Sequence, residues 1–135
     1  MKVPIPVLLV IDDNEPTRNA YKRMFTRRGY FVLLATNGQD ALDQFGEKIR
    51  EGGVNVVLSD VDMPIMNGIE FQQAARVLCP NLPFVFLSGK SHPELRDEVL
   101  LLKPAKEAEI ANALLRVLQP PQTIPPPSGI PGSSD

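Results

Sequence analysis

The sequence predicts an α/β domain, doubly wound around a five-stranded parallel sheet of order 2-1-3-4-5, with a shortened fourth helix. Three observations carry that expectation. Short apolar runs recur at even intervals, helical stripes fill the gaps, and 135 residues suffice for one domain with a real core but hardly for two. The runs are continuous rather than alternating, which suits strands covered on both faces of a parallel sheet. Five β-α units with right-handed crossovers commonly take the order given above.

The first run, Ile5 to Ile11, ends in Asp12-Asp13. Asn14 or Glu15-Pro16 is placed to open a helix that carries Ala20, Met24 and Phe25 on one face. Phe31 to Ala35 is the second strand. Asn37-Gly38 then precedes the stripe Ala41, Leu42, Phe45 and Ile49, which Gly52-Gly53 ends. The third run, Val54 to Ser59, leads into Asp60-Val61-Asp62-Met63-Pro64, and Phe71, Ala74, Ala75 and Leu78 form the next helical face. Phe84 to Ser88 is the fourth strand. Only Ser91 to Glu98 remains for the fourth helix, about two turns. Ser91-His92-Pro93-Glu94 reads as its capping box, with His92 a solvated residue of the first turn. Val99 to Leu102 ends at Lys103-Pro104, and Ile110, Ala113, Leu114, Val117 and Leu118 form the last stripe. The domain is thus expected over residues 1–118. QPPQTIPPPSGIPGSSD, residues 119–135, reads as a proline-rich disordered tail or linker of polyproline II character.

Composition narrows the function. A formal net charge of -2 gives no basic face for direct nucleic-acid binding. Cys79 is the only cysteine, so it forms no intramolecular disulfide or thiolate cluster, and it reads as a small buried residue near a helix end. No apolar run approaches a membrane span or follows the layout of a signal peptide, so a cytoplasmic protein without membrane insertion is expected.

A carboxylate at the end of an apolar strand is costly to desolvate, so Asp60 needs a reason. In open α/β sheets ligands bind beyond the carboxyl ends of the strands where the strand order reverses. The predicted order makes strands one and three neighbours and gathers Asp12, Asp13 and Asp60 at one crevice. Mutual repulsion there raises a pKa or recruits a counter-charge, and Mg²⁺ suits a site of few carboxylates and several waters. Ser88 and Lys103 end the fourth and fifth strands. A hydroxyl and an ammonium converging on acids and a metal suit a phosphoryl group, with Asp60 as nucleophile. Any one of these residues alone would more often just terminate a strand.

Asp12-Asp13, Asp60 with Met63-Pro64 and Gly68, Ser88-Gly89 and Lys103-Pro104 together resemble the receiver domain of bacterial two-component response regulators, of the CheY-like, flavodoxin-like fold. The resemblance covers roughly residues 5–118. It implies a phosphoacceptor switch rather than an enzyme, with Asp60 the phosphoacceptor. It further implies Mg²⁺ held by Asp13, Asp60 and the Asp62 backbone carbonyl, Asp12 acting mostly through water. Ser88 and Lys103 would bind the phosphoryl oxygens, and Gly89 would leave room for that group. The Asp62 side chain reads equally as an influence on acyl-phosphate hydrolysis or as a solvated loop acid. Two positions depart from the family pattern: the switch position carries Leu100 in place of an aromatic, and Ala105 follows Pro104 where Phe is usual. These departures, with the shortened fourth helix, predict a monomer that does not dimerise through the family's usual face of helix four, strand five and helix five. Glu15, Asn19 and Lys22 with Pro104 and Ala105 are the expected docking site for a sensor histidine kinase or phosphotransfer protein.

Two rivals stand beside this reading. Asp60-x-Asp62 also resembles the nucleophile motif of haloacid-dehalogenase-like phosphatases, with Asp62 as general acid, but that leaves Asp12-Asp13 unexplained. A degenerate receiver acting as a phosphorylation-independent binding module is the other. No output domain follows, so a stand-alone receiver or one cut from a longer chain is expected.

Overall fold

Each apolar run becomes a strand with helices against it, and the sheet they build has the predicted order. The computed structural model describes residues 4–119. The strands are β1 (Val7–Ile11), β2 (Phe31–Ala35), β3 (Val56–Asp60), β4 (Phe84–Ser88) and β5 (Val99–Leu102). The helices are α1 (Glu15–Arg27), α2 (Gly38–Arg50), α3 (Gly68–Leu78) and α4 (Glu107–Leu118). All strand pairs are parallel in the order β2-β1-β3-β4-β5. The proline-rich segment read as a tail lies, beyond Gln119, outside the described residues.

Period-2 geometry divides each strand between two cores. Leu9, Ile11, Val57 and Phe86 face α2 and α3, where Phe71, Ala75, Ala41 and Ile49 complete one cluster. Leu8, Val10, Leu58, Val85 and Leu87 face α1 and α4, meeting Phe25, Ile110 and Leu114. Burial on both sides explains why the central strands read as continuous apolar runs. Edge strand β5 is only half-buried and its last residue, Leu102, is exposed.

Three of the helices start where short polar side chains satisfy free N–H groups, each such cap contributing about 1 kcal/mol. Asn14 accepts from the Thr17 N–H, Asn37 from the Asp40 N–H, and Asn67 forms a reciprocal capping box with Glu70. Helix α3 ends at Cys79, which is half-buried.

The fourth helix of the sequence reading is not there. Residues 89–98 contain a single 3₁₀ turn, Pro93–Leu95, opened by His92 without a side-chain cap, so Ser91 makes no capping box. The connection must run back along a five-residue strand, roughly 17 Å, and eight residues wound as α-helix reach only about 12 Å. Leu95 is the only aliphatic side chain in Ser91–Glu98, and one residue provides no stripe to bury. It is buried nonetheless, pinning the turn to the α2/α3 core. The far end is held by Glu98, whose carboxylate lies 3.1 Å from Arg76 Nη1, while Arg76 also donates to the Leu82 carbonyl and covers the Phe84 ring.

Candidate functional site

The register aligns the strand ends so that their last polar residues share one edge. Ile11 pairs with Ser59, Asp60 with Leu87 and Ser88 with Leu102, and the Lys103 N–H bonds to the Ser88 carbonyl at 2.8 Å. Asp12, Asp13, Asp60, Ser88 and Lys103 therefore meet at the carboxyl edge of the sheet, astride the β1/β3 neighbours. That shared edge follows from the sheet order, which is the one the sequence predicts.

Asp12, Asp13 and Asp60 each offer one oxygen within 4.8 Å of the other two. Asp12 and Asp60 are buried and Asp13 is exposed. One oxygen of Asp12 accepts the Asn14 N–H at 2.9 Å, while its other oxygen, Oδ2, is buried without a hydrogen-bond partner. A buried carboxylate oxygen facing other carboxylates, with nothing to donate to it, fits a hard cation with oxygen ligands. Lys103 Nζ lies 3.0 Å from Asp60 Oδ1, and Arg18 Nη1 donates to the Asp12 carbonyl at 2.8 Å. The residues fit Mg²⁺.

Burial pushes the Asp60 carboxyl above the usual range; Lys103 pulls it back and Asp12 and Asp13 push it further up. Asp12 is raised in the same way, chiefly by burial, against the opposing Asn14 N–H and Lys103. For Lys103 burial works against the ammonium, but Asp60 and Asp12 outweigh it and its pKa rises. Half-buried Tyr21, on α1, is raised by burial and then by Asp12. One lysine thus faces three acids at close quarters, an imbalance that a divalent cation corrects.

Gly68 ties the loop after β3 to the site. Its N–H bonds to the Val61 carbonyl at 2.9 Å, and a Cβ there would collide with the Asp60 carbonyl oxygen and come within 3.0 Å of Ser59 Oγ. Only glycine lets α3 start this close behind the phosphoacceptor candidate. Gly89 differs: a Cβ there meets no protein atom within 4 Å, so the protein itself does not demand glycine. Leu100 is half-buried against the α2/α3 core, paired across the sheet with Phe86. Glu15, Asn19, Lys22 and Pro104 are exposed, whereas Ala105 packs against the α1/α4 core.

One residue is placed where the sequence reading did not put it. His92 is not solvated: its side chain is 11% exposed, and Nε2 lies 3.1 Å from Ser88 Oγ. The Ser88 hydroxyl also bonds to Asp62 Oδ2 at 3.1 Å, and the Lys90 N–H bonds to Ser88 Oγ at 3.2 Å. Asp62 is therefore tied to Ser88 although its side chain is 56% exposed. The contact arises because residues 89–98 form a single 3₁₀ turn rather than the expected helix. Arg18, one turn beyond Asn14, is a further residue at the site that the sequence motifs do not point to.

The response regulator receiver domain is the family whose model matches, over residues 8–114, and the chain belongs to that family. Among curated relatives, the response regulator receiver protein CpdR of Brucella abortus is 30% identical over 119 residues, covering 83% of this chain and 95% of that protein. The autoinducer 1 sensor kinase/phosphatase LuxN of Vibrio campbellii is 33% identical over 115 residues, 84% of this chain but only 13% of LuxN. Among solved structures, chemotaxis protein CheY4 of Vibrio cholerae superposes with a TM-score of 0.75 at 27% identity, covering 84% of this chain and 99% of that one. Phosphoacceptance and signal switching are the family function, and the fold is the CheY-like one that the sequence motifs implied. No helix among the described residues is long and apolar enough to cross a membrane.

Proposed function

We propose that this receiver accepts a phosphoryl group on Asp60 from a histidine kinase or phosphotransfer protein. The observation that carries the reading is a buried carboxylate at a strand end, 3.0 Å from Lys103 and grouped with Asp12 and Asp13. An Asp60 oxygen attacks the donor phosphorus, a P–O bond forms, the bond to the donor nitrogen breaks, and the leaving imidazole takes up a proton. Lys103 stays paired to the carboxylate and then to the phosphoryl oxygens, while Ser88 supplies a hydrogen bond. Asp13, Asp60 and the Asp62 carbonyl, with Asp12 through water, would hold Mg²⁺, which neutralises phosphoryl charge when bound. The receiver is assigned to residues 1–118.

Docking is proposed along the exposed face of α1, at Glu15, Asn19 and Lys22, together with Pro104 and Ala105, because α1 follows Asp12-Asp13 and the Pro104-Ala105 loop follows Lys103 in the chain. Incubation with acetyl phosphate and Mg²⁺, followed by intact mass, tests the chemistry. Wild type should gain one phosphoryl mass and Asp60→Asn none. Steady turnover without a stable adduct would point to a phosphatase, and an inert wild type to a binding module.

A further inference from the structure

The Ser88 hydroxyl has three partners, the full capacity of one donor and two lone pairs. The Lys90 N–H donates to it, so one lone pair is taken. Asp62 Oδ2 is an acceptor, so the single hydroxyl proton points there. His92 Nε2 can then only donate. The opposite tautomer would point the hydroxyl proton at His92 and leave the Asp62 oxygen, 3.1 Å away, facing bare lone pairs. The backbone following His92 is held in place. Leu95 is buried three residues on, its N–H bonds to the His92 carbonyl at 2.9 Å, and Glu98 is clamped to Arg76.

We propose that His92 is a positioning residue that fixes Ser88 by donating Nε2–H to its oxygen, leaving one hydroxyl proton for which Asp62 and the phosphoryl group on Asp60 compete. His92 and the Lys90 N–H support the oxygen in both states; only the proton changes partner. His92 thereby strengthens the phosphoryl contact through Ser88, and Asp62 opposes it. The second half rests on Asp60 being the phosphoacceptor; the resting tautomer does not.

Beryllofluoride titration in Mg²⁺, followed by amide shifts, separates these roles. His92→Phe keeps a ring without the donor and should weaken binding about fivefold, the net worth of one neutral hydrogen bond. His92→Gln places an amide N–H near the Nε2 position and should recover most of that loss. Asp62→Ala should strengthen binding by a comparable factor. In a Ser88→Ala background His92→Phe should change nothing, because the hydroxyl through which it acts is gone. A His92→Phe loss that persists undiminished in that background, or His92→Phe and Asp62→Ala effects of the same sign, overturns the proposal. A wild type that neither binds beryllofluoride nor takes up a phosphoryl group defeats the phosphoacceptor reading instead. Imidazole ¹⁵N shifts of the resting protein test the first half without any phosphate analogue. A neutral His92 protonated at Nε2 supports it, and one protonated at Nδ1 overturns it.

Discussion

Asp12→Asn should stabilise the metal-free protein at neutral pH while removing most of its response to Mg²⁺. The substitution keeps the shape and the acceptor for the Asn14 N–H but deletes one of three crowded charges. At the 4.8 Å bound on their separation, two unit charges repel by about 3.5 kcal/mol at an effective dielectric near 20 and by about 0.9 kcal/mol in bulk water. Asp12 loses two such repulsions but also the attractions to Lys103 and Arg18, which offset much of them, so the gain comes chiefly from no longer burying its charge. With the charge pairs largely offset and the carboxyl only partly desolvated, about 1 kcal/mol and a rise in Tm of roughly 4 °C are expected. The sign is set by pKa values raised by folding. A raised carboxyl contributes stability that is full below the unfolded value of 3.8 and lost as pH rises through the folded value. The advantage of the amide is therefore full at neutral pH and shrinks as pH falls toward 3.8. Wild type should regain about 1.4 kcal/mol at Mg²⁺ ten times its Kd, and the variant much less. Thermal melts with EDTA and with millimolar Mg²⁺, at pH 7 and near pH 4.5, measure all of this. An Asp12→Asn variant that melts below wild type in EDTA at pH 7, or a gain independent of pH, would refute the crowded-acid argument.

Gly68→Ala pushes a methyl against the Asp60 carbonyl and the Val61 backbone and should cost about 1–3 kcal/mol in urea unfolding; a cost under about 0.5 kcal/mol would show that the loop yields freely. Leu95→Ala removes the buried anchor of the 3₁₀ turn and should cost about 2 kcal/mol or more, with amide exchange accelerated between His92 and Glu98 rather than throughout the sheet. With Mg²⁺ and beryllofluoride the protein should sediment as a monomer, since residues 89–98 present no α-helix to build the usual dimer face; a shift to dimer would show that another surface takes its place.

What was legible in the sequence follows from how many constraints bear on a residue. Strand β4 reads as FVFLS because both faces are covered, so no polar residue interrupts it until Ser88. The caps at Asn14 and Asn37 are legible because a carboxamide before a periodic run serves a local need that no distant contact overrides. Asp12, Asp60, Ser88 and Lys103 are legible as a group because strand order alone brings strand ends together, without any side-chain detail. The stretch from Ser91 to Glu98 obeys a weaker rule. Ser-x-x-Glu is a helix-start pattern, but a pattern of two residues says nothing of whether a helix has a face to bury.

The helix-free connection and the His92 contact have one physical origin. A full helix between β4 and β5 would bury its own stripe on the α2/α3 core and carry its first turn away from the sheet edge. Here one leucine fills that role, and ten residues, 89–98, must return from the end of β4 to the start of β5. The chain is therefore drawn close over the edge it leaves, and the side chain four residues past Ser88 falls back onto the hydroxyl. Shortening the connection thus removes the α-helix from the face through which the family usually signals and, by the same step, brings an imidazole to the hydroxyl proposed to contact the phosphoryl group. A helix-restoring insertion between Lys90 and Pro93 should accordingly separate His92 from Ser88 and abolish the coupling between them in the beryllofluoride titration. If coupling survived that insertion, the short path would not be its cause.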